Sequence, residues 1–110
     1  MNFDREWIQA LPTADLRALV RVGGRPIRNY AVILERRVSG FRPRWRAICV
    51  IDNHLDTCHM HRYNGQIKLD PEVFTAGAGL TMNEQLANAI RHMVEHHDSI
   101  FDGWRRRSKT

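Results

Sequence analysis

Two histidines lie two residues apart in the segment from His59 to Tyr63, directly before Asn64 and Gly65. Side chains alternate between the two faces of a β-strand, so a strand over this segment shows His59, His61 and Tyr63 on one face. Imidazoles about 7 Å apart on one strand can act as an acid and a base, or they can bind a metal ion. The spacing alone leaves both kinds of chemistry open.

The charge of the chain favours a polyanionic partner. Of its 110 residues, 17 are Lys or Arg and 12 are Asp or Glu, which gives a net charge of +5 with six further histidines counted as neutral. Nearly all of the cationic side chains are arginine, whose planar guanidinium suits phosphate. An arginine-rich surface that meets an acidic protein is the alternative explanation.

Hydropathy and cysteine content indicate a cellular compartment. No segment approaches the roughly 20 apolar residues of a membrane span, and the N-terminus lacks the apolar core of a signal peptide. We therefore expect a cytoplasmic protein that does not enter a membrane. Cys49 and Cys58 are too few for a secreted disulfide framework, so we expect two small buried hydrophobic residues.

The spacing of apolar residues predicts which elements position the histidines. Residues 1–22 have near-helical spacing, which predicts a short N-terminal helical segment. Alternating residues over 29–70 predict four antiparallel strands in a meander, the last two joined by a two-residue turn at 64–65. The histidines would then lie at the end of the third strand.

A long amphipathic segment follows the strands. Thr81 or Asn83 is expected to cap it, with Glu84 in the first turn. Over residues 81–105 a period of 3.6 residues gathers one stripe, which contains Leu86, Ile90, Met93, His97, Ile100, Phe101 and Trp104. We therefore predict a single α+β domain over residues 1–110: an antiparallel four-stranded meander sheet with this C-terminal amphipathic helix packed on one face, preceded by the short N-terminal helical segment.

The turn at 64–65 fixes the predicted register of the last hairpin. It sets His61 opposite Lys68 and His59 opposite Asp70. Residues that are directly opposite share a face of the sheet. The two histidines are therefore expected to have a cation and a carboxylate as close neighbours.

A second two-residue turn, at 53–54, fixes the hairpin before it and sets Cys49 opposite Cys58 and Arg46 opposite His61. Both registers assign the same residues to each face. The face under the helix is expected to hold Trp45, Ala47, Cys49, Cys58, Met60, Ile67 and Leu69. The other face is expected to hold Arg44, Arg46, His59, His61, Tyr63, Gln66, Lys68 and Asp70, with Glu35 and Arg37 from the first strand.

Such a polar face can cleave RNA without a metal ion. One histidine takes the proton of the 2′-hydroxyl, a second group protonates the leaving 5′-oxygen, and cations stabilise the charge on phosphorus. The predicted catalytic residues are the pair His59 and His61, Asp70 to orient His59, and Tyr63 as a hydrogen-bond donor or stacking platform. The predicted substrate-binding residues are Arg44, Arg46, Arg62, Lys68 and Glu35. No cofactor and no metal ligand are predicted.

Other interpretations of the same histidines stay open. The face could be a solvated surface on which the histidines balance nearby charges. In a metal-dependent hydrolase, His59 and His61 would hold zinc together with His54 or His92. His92 and His96 also match an H-x-x-E-H pattern, but they lie beside the apolar stripe, which favours a structural position.

The strand order, the H-x-H-R-Y segment, the glycine turn and the closing helix together resemble the TumE-like toxins of bacterial toxin–antitoxin systems, over about residues 29–105. The resemblance implies a small ribonuclease that a cognate antitoxin neutralises. It carries over His59, His61, Arg62 and Tyr63 as site residues, although the register points Arg62 toward the covered face. The expected partners are RNA, an antitoxin and, as an open alternative, a second copy in a homodimer. A non-catalytic basic module that binds nucleic acid or protein is the second hypothesis.

Overall fold

The computed structural model describes residues 2–42, 44–54, 57–77 and 79–108. Within them, seven strands form one sheet, and one long helix closes the chain. The strands are β1 (Arg5–Ala10), β2 (Leu16–Gly23), β3 (Asn29–Val38), β4 (Arg44–Asp52), β5 (His59–Asn64), β6 (Ile67–Lys68) and β7 (Glu72–Val73). A short 3-10 turn at Thr75–Gly77 leads to the helix α1, Met82–Ser108.

Each strand pairs antiparallel with the next in the order β1 to β6, while β7 pairs with the first residues of β5. The prediction of a four-stranded sheet is therefore wrong, because residues before 29 add two strands and β7 adds another. The helix packs on one face of this sheet, as predicted, and shares a core with it. No helix in the described part of the chain is long and apolar enough to cross a membrane.

The predicted N-terminal helical segment over 1–22 is wrong, since this region is the β1–β2 hairpin. Leu16, Leu19 and Val20 fit the i, i+3, i+4 spacing of a helix, but β2 uses a period of two instead. Its alternate residues Leu16, Ala18, Val20 and Val22 are all buried. Pairing with β1 on one side and β3 on the other satisfies the backbone groups of β2, which outweighs local helical spacing.

A β-bulge changes which face the first half of β4 presents. Leu34 pairs with Cys49, but the next residue, Glu35, pairs with Ala47, so Ile48 is the extra residue. A bulge interrupts the alternation of side chains along a strand. Trp45 and Ala47 were predicted to lie under the helix, and this prediction is wrong, because both share the face of Glu35. Arg44 and Arg46 were predicted on the opposite face, and this prediction is also wrong, because Arg46 pairs with Arg36 on the side of the helix. The guanidinium of Arg17, a neighbour of Glu35, lies 4.2 Å from the centre of the Trp45 ring.

Both predicted hairpin registers are wrong by an even number of residues. The turn is at 65–66 rather than 64–65, so Tyr63 is opposite Lys68. On the other side of β5, His61 is opposite Val50 and His59 is opposite Asp52. Because side chains alternate with period two, a slip of two or four residues changes the neighbours of a residue but not its face.

The helix α1 begins and packs as the sequence predicts. The amide of Glu84 donates to the Thr81 hydroxyl at 3.3 Å, and the Thr81 amide donates to the Glu84 carboxylate at 3.1 Å, a capping box that lowers the pKa of Glu84. Its buried residues are Leu86, Ala89, Met93, His97, Ile100 and Trp104. His97 is a satisfied core residue, with Nε2 3.0 Å from the Thr13 hydroxyl and Nδ1 2.7 Å from the Val94 carbonyl oxygen.

The cysteines are free and buried, as expected. The predicted Cys49–Cys58 pairing is wrong, because Cys49 is opposite Arg62. The sulfur of Cys58 lies 2.7 Å from the hydroxyl of Tyr30, which donates to the Gln85 amide oxygen at 3.1 Å. Burial raises the pKa of both thiols, so neither has the thiolate character that a nucleophile needs.

Candidate functional site

The face of the sheet opposite α1 carries the predicted histidines. We call it the open face, defined by Arg17, Leu19, Ile33, Glu35, Val50, Asp52, His59, His61 and Tyr63. The alternate residues Ile51 and Met60 share the core with Met93 of the helix, which fixes the direction of their neighbours in β4 and β5. The open face has no helix packed on it in the described residues.

His61 has a fixed ring position on the open face. Its Nδ1 lies 3.0 Å from the carbonyl oxygen of Leu69, in the segment that follows β6. A carbonyl oxygen only accepts hydrogen bonds, so Nδ1 must be the protonated nitrogen. In the neutral ring, Nε2 then carries a free lone pair, which is the form that a general base requires.

His61 lines a concavity in the surface that has a volume of about 510 Å³. This concavity brings together three predicted site residues, His61, Lys68 and Asp70, in spite of the changed register. Its other lining residues are Phe3, Asp52, His54, Leu69 and Pro71. We call this surface the histidine cleft.

His59 does not line the histidine cleft. It is half-buried on β5, directly between Asp52 of β4 and Val73 of β7 in the sheet. The prediction that Asp70 is opposite His59 is therefore wrong, and Asp70 instead lines the cleft with His61. The second imidazole in the cleft is His54, which the sequence suggested only as a metal ligand.

Asp52 was missed as a site residue. Its side chain is 6% exposed, and one carboxylate oxygen accepts the backbone N–H of His54 at 3.2 Å. This contact ties the segment after β4 to the cleft. The sequence carries a signal for it, because the polar run Asp52-Asn53-His54 comes directly after a buried strand, where loops present functional groups.

Tyr63 lies in a second concavity, which adjoins the first along β5. This recess has a volume of about 260 Å³ and is lined by Trp45, Arg46, Ala47, Tyr63 and Gln66. Burial is the main cause that raises the pKa of the Tyr63 hydroxyl, followed by the nearby Cys49 and Asp52. The phenol is therefore a protonated hydrogen-bond donor at neutral pH.

A third groove, of about 760 Å³, crosses β1 to β4 on the open face. Arg44 and Arg46 line its end, although the pairing of Arg46 with Arg36 places both on the covered side of β4. Glu35 also lines it, but its carboxylate accepts from Arg17 Nε at 2.8 Å. A carboxylate held by an arginine is a poor ligand for phosphate, which has the same charge. The structure thus gives Glu35 a positioning contact with Arg17.

Arg62 lies apart from the histidines. It is opposite Cys49, on the face that α1 covers, and its Nε lies 3.4 Å from the Glu72 carboxylate. The register correctly pointed it away from the cleft, so its carry-over into the site from the resemblance has no geometric support. Arg46 is opposite Arg36, whose guanidinium lies 4.4 Å from the ring centre of Trp104.

The H-x-x-E-H pair forms a ring contact on α1. The imidazoles of His92 and His96 lie 4.7 Å apart, and His92 contacts Phe74 edge-on at 5.1 Å. Burial, followed by the charges of His96 and Arg62, lowers the pKa of His92. Among the described residues, no group of three His, Cys, Asp or Glu side chains is placed to hold a metal ion.

Comparison with family models, with curated proteins and with solved structures gives no match to this chain.

Proposed function

We propose that this protein binds single-stranded RNA on the open face and cleaves it without a metal ion, by attack of a 2′-hydroxyl on the adjacent phosphate. The observation that carries the proposal is the hydrogen bond from His61 Nδ1 to Leu69, because it leaves Nε2 as the proton acceptor. His61 is half-buried and lines a cleft open to a ligand.

The reaction assigns one role to each polar group of the histidine cleft. His61 Nε2 takes the 2′-hydroxyl proton, the 2′-oxygen bonds to phosphorus, and the bond from phosphorus to the 5′-oxygen breaks. His54 in its protonated form supplies the proton to that oxygen. Lys68 stabilises the phosphorane charge. Asp52 is a positioning residue, since it holds the backbone at His54.

The products are a 2′,3′-cyclic phosphate and a free 5′-hydroxyl, so the reaction consumes neither water nor a cofactor in this step. The sequence predicts His59 as the partner of His61, but the proposal gives this role to His54 because His54 lines the same cleft as His61. The toxin role that the resemblance implies stays part of the proposal. In that role, expression of the active chain slows bacterial growth, and a cognate antitoxin restores it.

The first test measures cleavage of single-stranded RNA in EDTA by the wild type, His61→Ala, His54→Ala and His59→Ala. Loss of a general acid or base costs about 10²- to 10⁴-fold in rate, so we expect that loss for His61→Ala and His54→Ala. His59→Ala is the matched control, on the same strand but outside the histidine cleft, and should stay within a few-fold of the wild type.

Equal cleavage by the wild type and His61→Ala would overturn the catalytic assignment. RNA binding that weakens steeply with salt, with no turnover by any variant, would support the non-catalytic module instead. Activity that disappears in EDTA and returns with zinc would support the metal-dependent hydrolase. Growth arrest by the wild type but not by His61→Ala would support the toxin role.

A further inference from the structure

We propose that the recess formed by Trp45, Tyr63 and Gln66 is a nucleobase subsite, which binds one base of the RNA, adenine in preference, beside the phosphate that is cleaved. The proposal rests on the RNA-binding part of the proposed function. It assigns a substrate-recognition role to Trp45 and Gln66. We call this feature the base recess.

The chemistry of the base recess suits a planar aromatic ligand. Trp45 and Tyr63 offer ring surfaces, and single-stranded RNA is commonly held by bases that stack on such side chains. Ala47, a small residue, leaves room between them. Arg46 lies in the same recess, and its charge opposes a cationic ligand of the kind that aromatic cages bind.

Gln66 provides a means of base selection. It is exposed at the two-residue turn between β5 and β6, and it lines the base recess. Its side-chain amide both donates and accepts a hydrogen bond, a pattern that matches N6 and N7 of adenine. The amide therefore favours adenine over bases that present two acceptors on that edge.

The fold holds the aromatic wall of the base recess in place. The bulge at Ile48 turns Trp45 to the open face, as bulges beside functional sites often do. Arg17 then stacks on the ring at 4.2 Å, and Glu35 holds Arg17 at 2.8 Å. Trp45 is thereby fixed before any ligand arrives, which reduces the entropy cost of binding.

The end of α1 holds the other wall. The Gly65 amide donates to the Ser108 hydroxyl at 2.7 Å, and the Trp104 indole N–H donates to the Gly65 carbonyl at 3.0 Å. Arg107 Nε donates to the Tyr63 carbonyl at 3.2 Å. These bonds fix the turn that carries Gln66.

The base recess and the histidine cleft are adjacent. Tyr63 and His61 are alternate residues on the same face of β5, so their Cα atoms lie about 7 Å apart. Tyr63 is also directly opposite Lys68, which lines the cleft. A base between Trp45 and Tyr63 therefore brings its own phosphate to Lys68 and His61.

The test uses a 2′-O-methyl oligonucleotide, which this chemistry cannot cleave, with one adenosine in a uridine strand. A second strand has an abasic position in place of the adenosine, and a third, all-uridine strand has uridine at that position. Binding is measured by fluorescence anisotropy for the wild type, Trp45→Ala, Trp45→Phe and Gln66→Ala. Trp7→Ala is the control, an aromatic residue that is 42% exposed on β1, outside the base recess.

For the wild type, we expect the abasic strand to bind roughly 5- to 100-fold more weakly than the adenosine strand, the usual range for loss of one stacked base. Trp45→Ala should bind the adenosine and abasic strands equally weakly. Trp45→Phe should restore the stronger binding of the adenosine strand. Gln66→Ala should bind the adenosine and all-uridine strands with similar affinity. Trp7→Ala should behave as the wild type.

Equal binding of the adenosine and abasic strands by the wild type would overturn the proposal that the base recess binds a base, but it would leave RNA binding by the protein unaffected. Abasic sensitivity that persists in Trp45→Ala would also overturn it. Cleavage by His61→Ala at the wild-type rate, with abasic sensitivity intact, would instead overturn the catalytic proposal and leave the subsite. Gln66 is at an exposed turn, so its variant tests base preference even if Trp45→Ala fails to fold.

Discussion

The two faces of the sheet use the same strands for different purposes. On the face that α1 covers, Ile51 and Met93 are fully buried in one continuous core. On the open face, a shorter apolar row of Leu19, Ile33 and Val50 lies between ion pairs and the histidines. Alternation along each strand therefore separates the residues that stabilise the fold from those available for recognition.

The largest difference should appear when an isoleucine is truncated on each side. Ile51→Ala removes a side chain with 0% exposure from the covered core, and we expect a loss of about 2–5 kcal/mol in the free energy of unfolding. Ile8→Ala, at 47% exposure on the open side of β1, should lose less than about 1 kcal/mol. Urea unfolding followed by circular dichroism measures both, and equal losses would contradict the division of the faces.

The covered face could be predicted only in part. The helix α1 was predicted correctly because its long stripe, its cap and its length all agree. The β1–β2 hairpin was not, because Leu16, Leu19 and Val20 satisfy both the helical and the strand spacing. The neighbours that decide between the two periods lie in β3, and local spacing contains no information about them.

For the open face, the sequence predicts which side of the sheet a residue lies on better than it predicts which residues it contacts. His61, Lys68 and Asp70 reach one cleft because the register errors were even and so kept each residue on its side. Trp45 was assigned to the wrong face because one unpaired residue, Ile48, reverses the alternation. Apolar patterns around Ile48 look the same with or without a bulge, so the sequence does not reveal it.

The coupling free energy of ion pairs on the open face measures how much that face contributes to the stability of the fold. Arg17 and Glu35 are 28% and 12% exposed and are joined at 2.8 Å, with Arg17 also stacked on Trp45. In a double-mutant cycle of Arg17→Met and Glu35→Gln, we expect a coupling of about 1–2 kcal/mol, above the usual surface pair.

The matched control is the pair of Arg21 and Glu6 on the same face, joined at 3.0 Å but 42% and 58% exposed. Solvent screens such a pair, so its coupling should be below about 0.5 kcal/mol. Thermal and urea unfolding of the four single variants and two double variants give both couplings. If the exposed pair couples as strongly as Arg17 and Glu35, burial is not what distinguishes them.

The smallest effect should be the contribution of His92, on the covered side, to the pH dependence of stability. Burial, then His96 and Arg62, lowers the pKa of His92 in the folded state below its ordinary value. The unfolded chain therefore binds a proton at His92 more readily than the folded chain does. Protonation of His92 lowers the free energy of unfolding as the pH falls through the ordinary histidine range, and above that range the group costs no stability.

His92→Gln should therefore lose less stability than the wild type between pH 7.5 and pH 5. Urea unfolding of both proteins at both pH values measures this difference, and an unchanged pH dependence in His92→Gln would contradict the prediction.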